Sequence, residues 1–279
     1  QGPKMINNMT SDRRFFSWRE LGPGRIECRI DLGELFTKGR SRENFEGRWP
    51  EFMDSDPSHS RLFRREGDVL IYRSEQLVPV ISDGRTPLLL VLGNPASHSV
   101  DAGMFFSFES GGREHRFWKD ILRPSGVLAL AMEGGDVEGR NRRRRERLLS
   151  LDYGSPFRVG LAVYISMPSP ASGLWNGVAG VRKLLGGRAF ERLIEAERQR
   201  VTGTARAFMP DGGTVAVFQK DAWEGLRRLD DPAYGIDRAR KGLLVGELAG
   251  LSSIKIFGLP PTRLAGPCRE VLGRLVRQE

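Results

Sequence analysis

Between Leu88 and Trp118 the chain reads LLLVLGNPASHSVDAGMFFSFESGGREHRFW. This stretch brings together an amide (Asn94), a hydroxyl (Ser97), an imidazole (His98), a carboxylate (Asp101), a flexible Gly103 and two aromatics, Phe105 and Phe106. The apolar run before them, Leu88 to Leu92 between Pro87 and Gly93, reads as a strand buried on both faces, as in a parallel sheet. Gly93, Asn94 and Pro95 break that strand, and open α/β sheets bind ligands in the loops that leave the carboxyl ends of their strands. Water-handling groups beside flat apolar rings suit a pocket that stacks a planar ligand and hydrolyses a bond next to it. The same residues also read as a turn, a capping aspartate and two core phenylalanines, and chemistry by itself leaves both readings open.

The order G-N-P-A, then D-A-G-M-F-F, then R-F-W resembles the first motif of the uracil-DNA glycosylase superfamily, in particular its mismatch-specific branch. The spacing from Asn94 to Gly103 and Phe106 fits that pattern, with extra residues before Arg116, Phe117 and Trp118, and with Gly93 directly before Asn94 where the pattern has a spacer. The run N-P-A-S-H-S-V-D also resembles the A-P-A-x-H form of a second branch, in which an acidic residue at the place of Asp101 is linked to catalysis. The resemblance implies hydrolysis of an N-glycosidic bond to a damaged base flipped out of DNA. Asn94 would hold the water, Asp101 would orient it or stabilise the cationic sugar, and Phe106 would stack on the base, with His98 and Ser166 also lining the base pocket. No cofactor is implied.

A second loop carries the resemblance further and departs from it. In Leu259-Pro260-Pro261-Thr262-Arg263-Leu264, Pro261, Thr262 and Leu264 match the superfamily's Pro, Ser and Leu, but Pro260 stands where a His or Asn belongs. Proline offers neither a side-chain donor nor a backbone N–H, so it cannot hydrogen-bond the departing base, and losing such a donor costs on the order of a hundredfold in rate. Thr262 and Arg263 are left to contact phosphate, and Leu264 to enter the gap of a flipped nucleotide.

The elements that must position these loops are strands at Leu88–Leu92, Val159–Ile165, Thr214–Phe218 and Ser252–Phe257, alternating with helices. That alternation argues for a parallel sheet covered on both faces. With the resemblance, the expected fold is a three-layer α/β/α sandwich around a four-stranded, mainly parallel sheet, spanning 86–279. Helices are predicted for Arg113–Leu122, ended by Pro124, and over Gly177 onward, Ala189–Arg200, Lys220–Leu229 and Gly266 onward. Val127–Met132 reads as a strand or a helical turn. Residues 1–85 read as an extension packed on that domain, with short strands at Arg25–Asp31 and Asp68–Arg73, an irregular loop at Ser41–Ser60, and scattered aromatics that pack or touch DNA. Gln1, Gly2 and Pro3 read as the remnant of an engineered protease site, with Met5 the native start.

The chain has 279 residues and a net charge of +9, which favours an anionic partner, nucleic acid before membrane surface. Arg140–Arg147 holds six arginines in eight residues, either a solvated helix face or a track for phosphates. Cys28 and Cys268 are too few for a disulfide framework or a four-cysteine cluster, and His59, His98 and His115 lack metal-binding spacing. With no membrane-length apolar run and no signal peptide, the expectation is a cytoplasmic, monomeric, DNA-binding protein. Two competitors stand beside the glycosylase reading. One is the same fold with an impaired second motif, binding damaged or single-stranded DNA without cutting it; the other is an unrelated α/β hydrolase of a small molecule.

Overall fold

The computed structural model describes residues 15–37, 39–109, 111–130 and 134–277, so the reading of residues 1–3 and Met5 lies outside the described residues, as does part of Val127–Met132. The protein is a mixed α/β chain with two sheets. The first is antiparallel, built from β1 (Phe16–Gly22), β2 (Arg25–Asp31), β3 (Phe63–Glu66) and β4 (Val69–Glu75) in the order β1-β2-β4-β3. In β2 the alternation of Ile26, Cys28 and Ile30 sends one face inward, all three at most 1% exposed. Both expected strands of this region are present.

The expected loop at Ser41–Ser60 is instead a helix, Gly39–Asp54, followed by the short helix His59–Leu62. Phe45, Trp49 and Phe52 lie at i, i+4 and i+7, and their rings pack in sequence at 5.4 and 5.6 Å. Pro50 inside the helix hides the pattern from sequence, because its missing N–H normally marks a break; burial of the aromatic stripe outweighs that lost bond. Phe15, Phe45, Phe52 and Phe63 are all core residues, and Phe16, Trp18 and Trp49 are partly buried against that core.

The second sheet has five strands: β5 (Thr86–Leu92), β6 (Phe157–Val163), β7 (Gly213–Val217), β8 (Val245–Leu248) and β9 (Leu251–Gly258), ordered β6-β5-β7-β9-β8. All four expected strands are there and pair in parallel, and β8 adds an antiparallel edge. Alternate residues of β5 enter different cores. Leu89 and Val91 join the one built with helices Gly177–Leu185 and Gly187–Phe208 and with the first sheet. Leu88, Leu90 and Leu92 join the one built with Phe117–Leu122 and helix Ala265–Val276. Each face of the central strands is therefore covered, which is why 88–92 of β5 and 159–163 of β6 read as apolar runs.

The expected helix Arg113–Leu122 is a π-helical turn over Phe117–Leu122, and the chain stays helical through Pro124 to Ser125 before Gly126 ends it. Ala129 makes an isolated bridge to Gly154. The arginine run lies on helix Val137–Leu149. Among the described residues no helix is long and apolar enough to cross a membrane.

A buried polar node locks the two sheets together. Ser166, just past β6, donates to Glu197 and accepts from Tyr72 (2.9 Å) and Cys28 (3.3 Å) of the first sheet. Glu197 pairs with Arg200 at 2.5 Å, and Arg200 also reaches Gln76 and the Val163 carbonyl. Burial pushes the Cys28 thiol up to about 12, so it serves as a neutral donor.

Candidate functional site

Asn94 leaves the carboxyl end of β5 beside the exit of β6. Its Nδ2 donates to Ser169 Oγ at 2.8 Å and to the Met167 carbonyl at 3.2 Å. Backbone bonds lace the two exits together: Ile165 N to Gly93 O (2.9 Å), Ser169 N to Pro95 O (3.1 Å) and Ser97 N to Ser169 O (2.9 Å). With both amide hydrogens used inward, the side-chain carbonyl of Asn94 remains as an acceptor. Ser169, which sequence reading passed over, is thus the hydroxyl at Asn94, while Ser166 is fully buried with its partners inside the core.

The residues after Asn94 form helix Ser97–Ala102, held by the helix His59–Leu62 of the amino-terminal part. His59 Nδ1 lies 2.8 Å from the Phe52 carbonyl, so it carries the proton, and Nε2, 2.8 Å from Ser97 Oγ, accepts from that hydroxyl. Burial holds this imidazole below its ordinary pKa and therefore neutral. Asp101 is gripped by Arg61, whose Nε lies 3.0 and 3.1 Å from the two carboxylate oxygens and whose Nη2 lies 2.6 Å from one. His98 is exposed, its Nε2 3.3 Å from Ser99 Oγ.

Phe106 has a left-handed backbone (φ 48°), rare for a residue with a Cβ and a sign of local constraint. Its carbonyl accepts from Trp118 Nε1 at 2.9 Å. Its ring lies 4.7 Å from His115, stacked at 22°, and 4.2 Å from Phe117 at 32°. Two rings that close cannot share one face without colliding, so Phe106 is sandwiched. Phe117 is wholly buried, and the half-buried His115 covers the other face of the Phe106 ring. His115 Nδ1 accepts from the Phe117 backbone N–H at 3.2 Å, placing the proton on Nε2. Burial, then the nearby Arg116, pushes its pKa down to about 4, so the stacked imidazole is neutral.

The loop that carries Phe106 is fastened by the arginine run. Arg145 donates to Gly103 O at 3.1 Å, Arg140 to Gly112 O at 3.0 Å, and Asn141 accepts from Phe108 N at 3.0 Å. Arg144 is fully buried, lies over the Phe108 and Trp118 rings at 4.4 and 4.6 Å, and pairs with Glu114. Arg143 and Arg147 bond to Gly134 O and Asp152, so five of the six arginines have intramolecular partners.

In the second loop Pro260 is buried, and its carbonyl and that of Pro261 accept from Cys268 Sγ at 3.0 and 3.3 Å. Burial raises this thiol to about 12, which keeps it a donor. Leu264 N caps the turn onto Pro261 O (2.8 Å). Thr262 and Leu264 are half-buried and Arg263 is exposed.

Gln219, two residues past β7, completes the set of polar side chains at this end of the sheet and was not found from sequence; only its place after an apolar run could have marked it. Among the described residues no three His, Cys, Asp or Glu come together as a metal site. No protein-family model and no curated protein matches the chain.

Proposed function

We propose that this chain is a DNA glycosylase with a uracil-DNA-glycosylase-like fold over 86–279, hydrolysing the N-glycosidic bond of a damaged base extruded from DNA. Extrusion is needed because that bond cannot be reached within the base stack. The observation that carries the reading is Asn94, locked at the carboxyl end of β5 with its amide hydrogens engaged and its carbonyl oxygen left to accept from a water. On the same end of the sheet Phe106 lies against Phe117, which meets Phe218 beyond β7, and its other face is covered by His115, so in this reading a planar base stacks on Phe106 in the place of His115. The net charge of +9 suits a phosphate backbone. In this reading Thr262 and Arg263 meet phosphate and Leu264 is the wedge.

The test is single-turnover excision from oligonucleotides that each carry one lesion, uracil, hypoxanthine, xanthine or mispaired thymine, in single and double strands. Release of at least one base, abolished in Asn94→Ala, is expected. Pro260 favours a second reading, the same fold binding damaged or single-stranded DNA without cutting it. Tight lesion-selective binding with no release of any base would select that reading; absence of DNA affinity at low salt would overturn both.

A further inference from the structure

The side-chain amide of Asn94 has one orientation, and two hydrogen bonds set it. The Met167 carbonyl can only accept, so the amide atom 3.2 Å from it is the nitrogen, and Oδ1 is turned away. That bond alone would let the amide turn about it, since the terminal torsion of an asparagine has broad energy wells. The second bond removes this freedom. Both hydrogens of an amide NH2 lie in the amide plane, so binding Nδ2 to Met167 O and, at 2.8 Å, to Ser169 Oγ fixes that plane. The lone pairs of Oδ1 lie in the same plane, and their direction is fixed with it.

Ser169 is held in place by its main chain rather than by its hydroxyl. It lies beyond β6 and forms a parallel bridge with Ala96, in the loop that carries Asn94. Its N–H donates to Pro95 O at 3.1 Å and its carbonyl accepts from Ser97 N at 2.9 Å, so Ser169 and Asn94 share one backbone frame. Ser169 is 1% exposed, and among the described residues its Oγ meets no side chain other than that of Asn94. The neighbouring buried hydroxyls are used elsewhere: Ser166 joins the two sheets, and Ser97 donates to His59. Removing Ser169 Oγ therefore removes a hold on Asn94 and leaves the backbone frame intact.

We propose that Ser169 is a positioning residue for the hydrolysis, setting the plane of the Asn94 amide and so the direction from which Oδ1 accepts from the attacking water. The proposal rests on the glycosylase reading and adds to it a residue 75 positions away from Asn94 in the chain. Ser169 touches no reacting atom and takes no proton; its effect passes through Asn94. Misplacing a group that orients a reactant costs roughly ten- to a hundredfold in rate.

The experiment is a double-mutant cycle. Single-turnover excision of a lesion that wild type releases is measured for Ser169→Ala, Asn94→Ala and the two combined, with Kd for the same oligonucleotide and Tm for each protein. Ser169→Ala is expected to be slower by about ten- to a hundredfold with an unchanged Kd. In the Asn94→Ala background the same substitution should change the rate by less than about twofold, because the group it orients has gone. Ser169→Thr keeps the hydroxyl and should stay within about threefold of the wild-type rate. A serine with a purely structural role would slow both backgrounds by the same factor, and that result overturns the proposal. So does Ser169→Ala at the wild-type rate, a rate loss matched by an equal loss of affinity, or Ser169→Thr with a wild-type Tm and the low rate of Ser169→Ala. Each of these leaves the glycosylase reading intact. A wild type inert on every lesion overturns that reading and this proposal together.

Discussion

At the residue scale the two polar groups expected to do the chemistry are held in different ways. Asn94 is bound inward by two hydrogen bonds, so Asn94→Ala should cost about 1–2 kcal/mol of stability as well as at least roughly a hundredfold in excision. Asp101 faces Arg61 through both oxygens at a partly exposed site, where its charge is already compensated and solvent screens the pair. Asp101→Asn should therefore lower excision less than Asn94→Ala does; a larger loss would make Asp101 the principal group. His115 gives a pH prediction. Its native pKa is depressed to about 4, below the ordinary 6.5, so between these values the unfolded chain binds more protons than the folded one. Stability is then flat above about pH 6.5 and falls as pH drops toward 4, with His59 shifted in the same direction. Chemical denaturation across that range should show the loss, and His115→Phe should reduce it.

At the element scale the arginine helix Val137–Leu149 acts as a clamp on the Gly103–Glu114 loop. In Arg144→Met, Glu114 keeps its 2.8 Å pair with Arg123, so the loss should be limited to about 1–3 kcal/mol, read as a lower Tm. Excision should fall with it, because Phe106 is on the clamped loop. None of this is written in the arginine run, where spacing cannot tell a solvated face from one whose guanidiniums reach carbonyls some 28 to 42 residues earlier. The parallel strands were legible because burial on both faces leaves contiguous apolar residues. Helix Gly39–Asp54 was not, since Pro50 and charged neighbours mask its three aromatics, and β8 was too short (V-G-E-L) to show a pattern. In the site, Asn94 could be read from its place after β5. Its partner Ser169, 75 residues on, and the Asp101 partner Arg61, 40 residues back, are fixed only by tertiary structure.

At the scale of the whole molecule, burial joins the two sheets and charge remains for a partner. The joint is the enclosed Glu197–Arg200 pair, and Arg200→Met should destabilise the protein by about 3–5 kcal/mol by stranding a carboxylate, with Glu197→Gln added to it restoring part of the loss. Part of the basic charge is already engaged, because Arg143, Arg144 and Arg145 bond within the protein itself. In the proposed complex, affinity for a short duplex should fall steeply with salt, at a slope set by the number of phosphates neutralised. Arg263, exposed beside the half-buried Thr262 and Leu264, makes no hydrogen bond or ion pair among the described residues and has the exposed guanidinium that such a contact needs. Arg263→Ala should make the log–log slope shallower by about one, whereas Arg144→Met should lower Tm and leave the slope alone. Replacing Arg142 to Arg145 together should alter the slope by no more than about one, since among the described residues Arg143, Arg144 and Arg145 have internal partners and Arg142 has none. A slope change of about three or four would show that these arginines leave their carbonyl and carboxylate partners for phosphate, and the clamp would then be a DNA-coupled element rather than a fixed one.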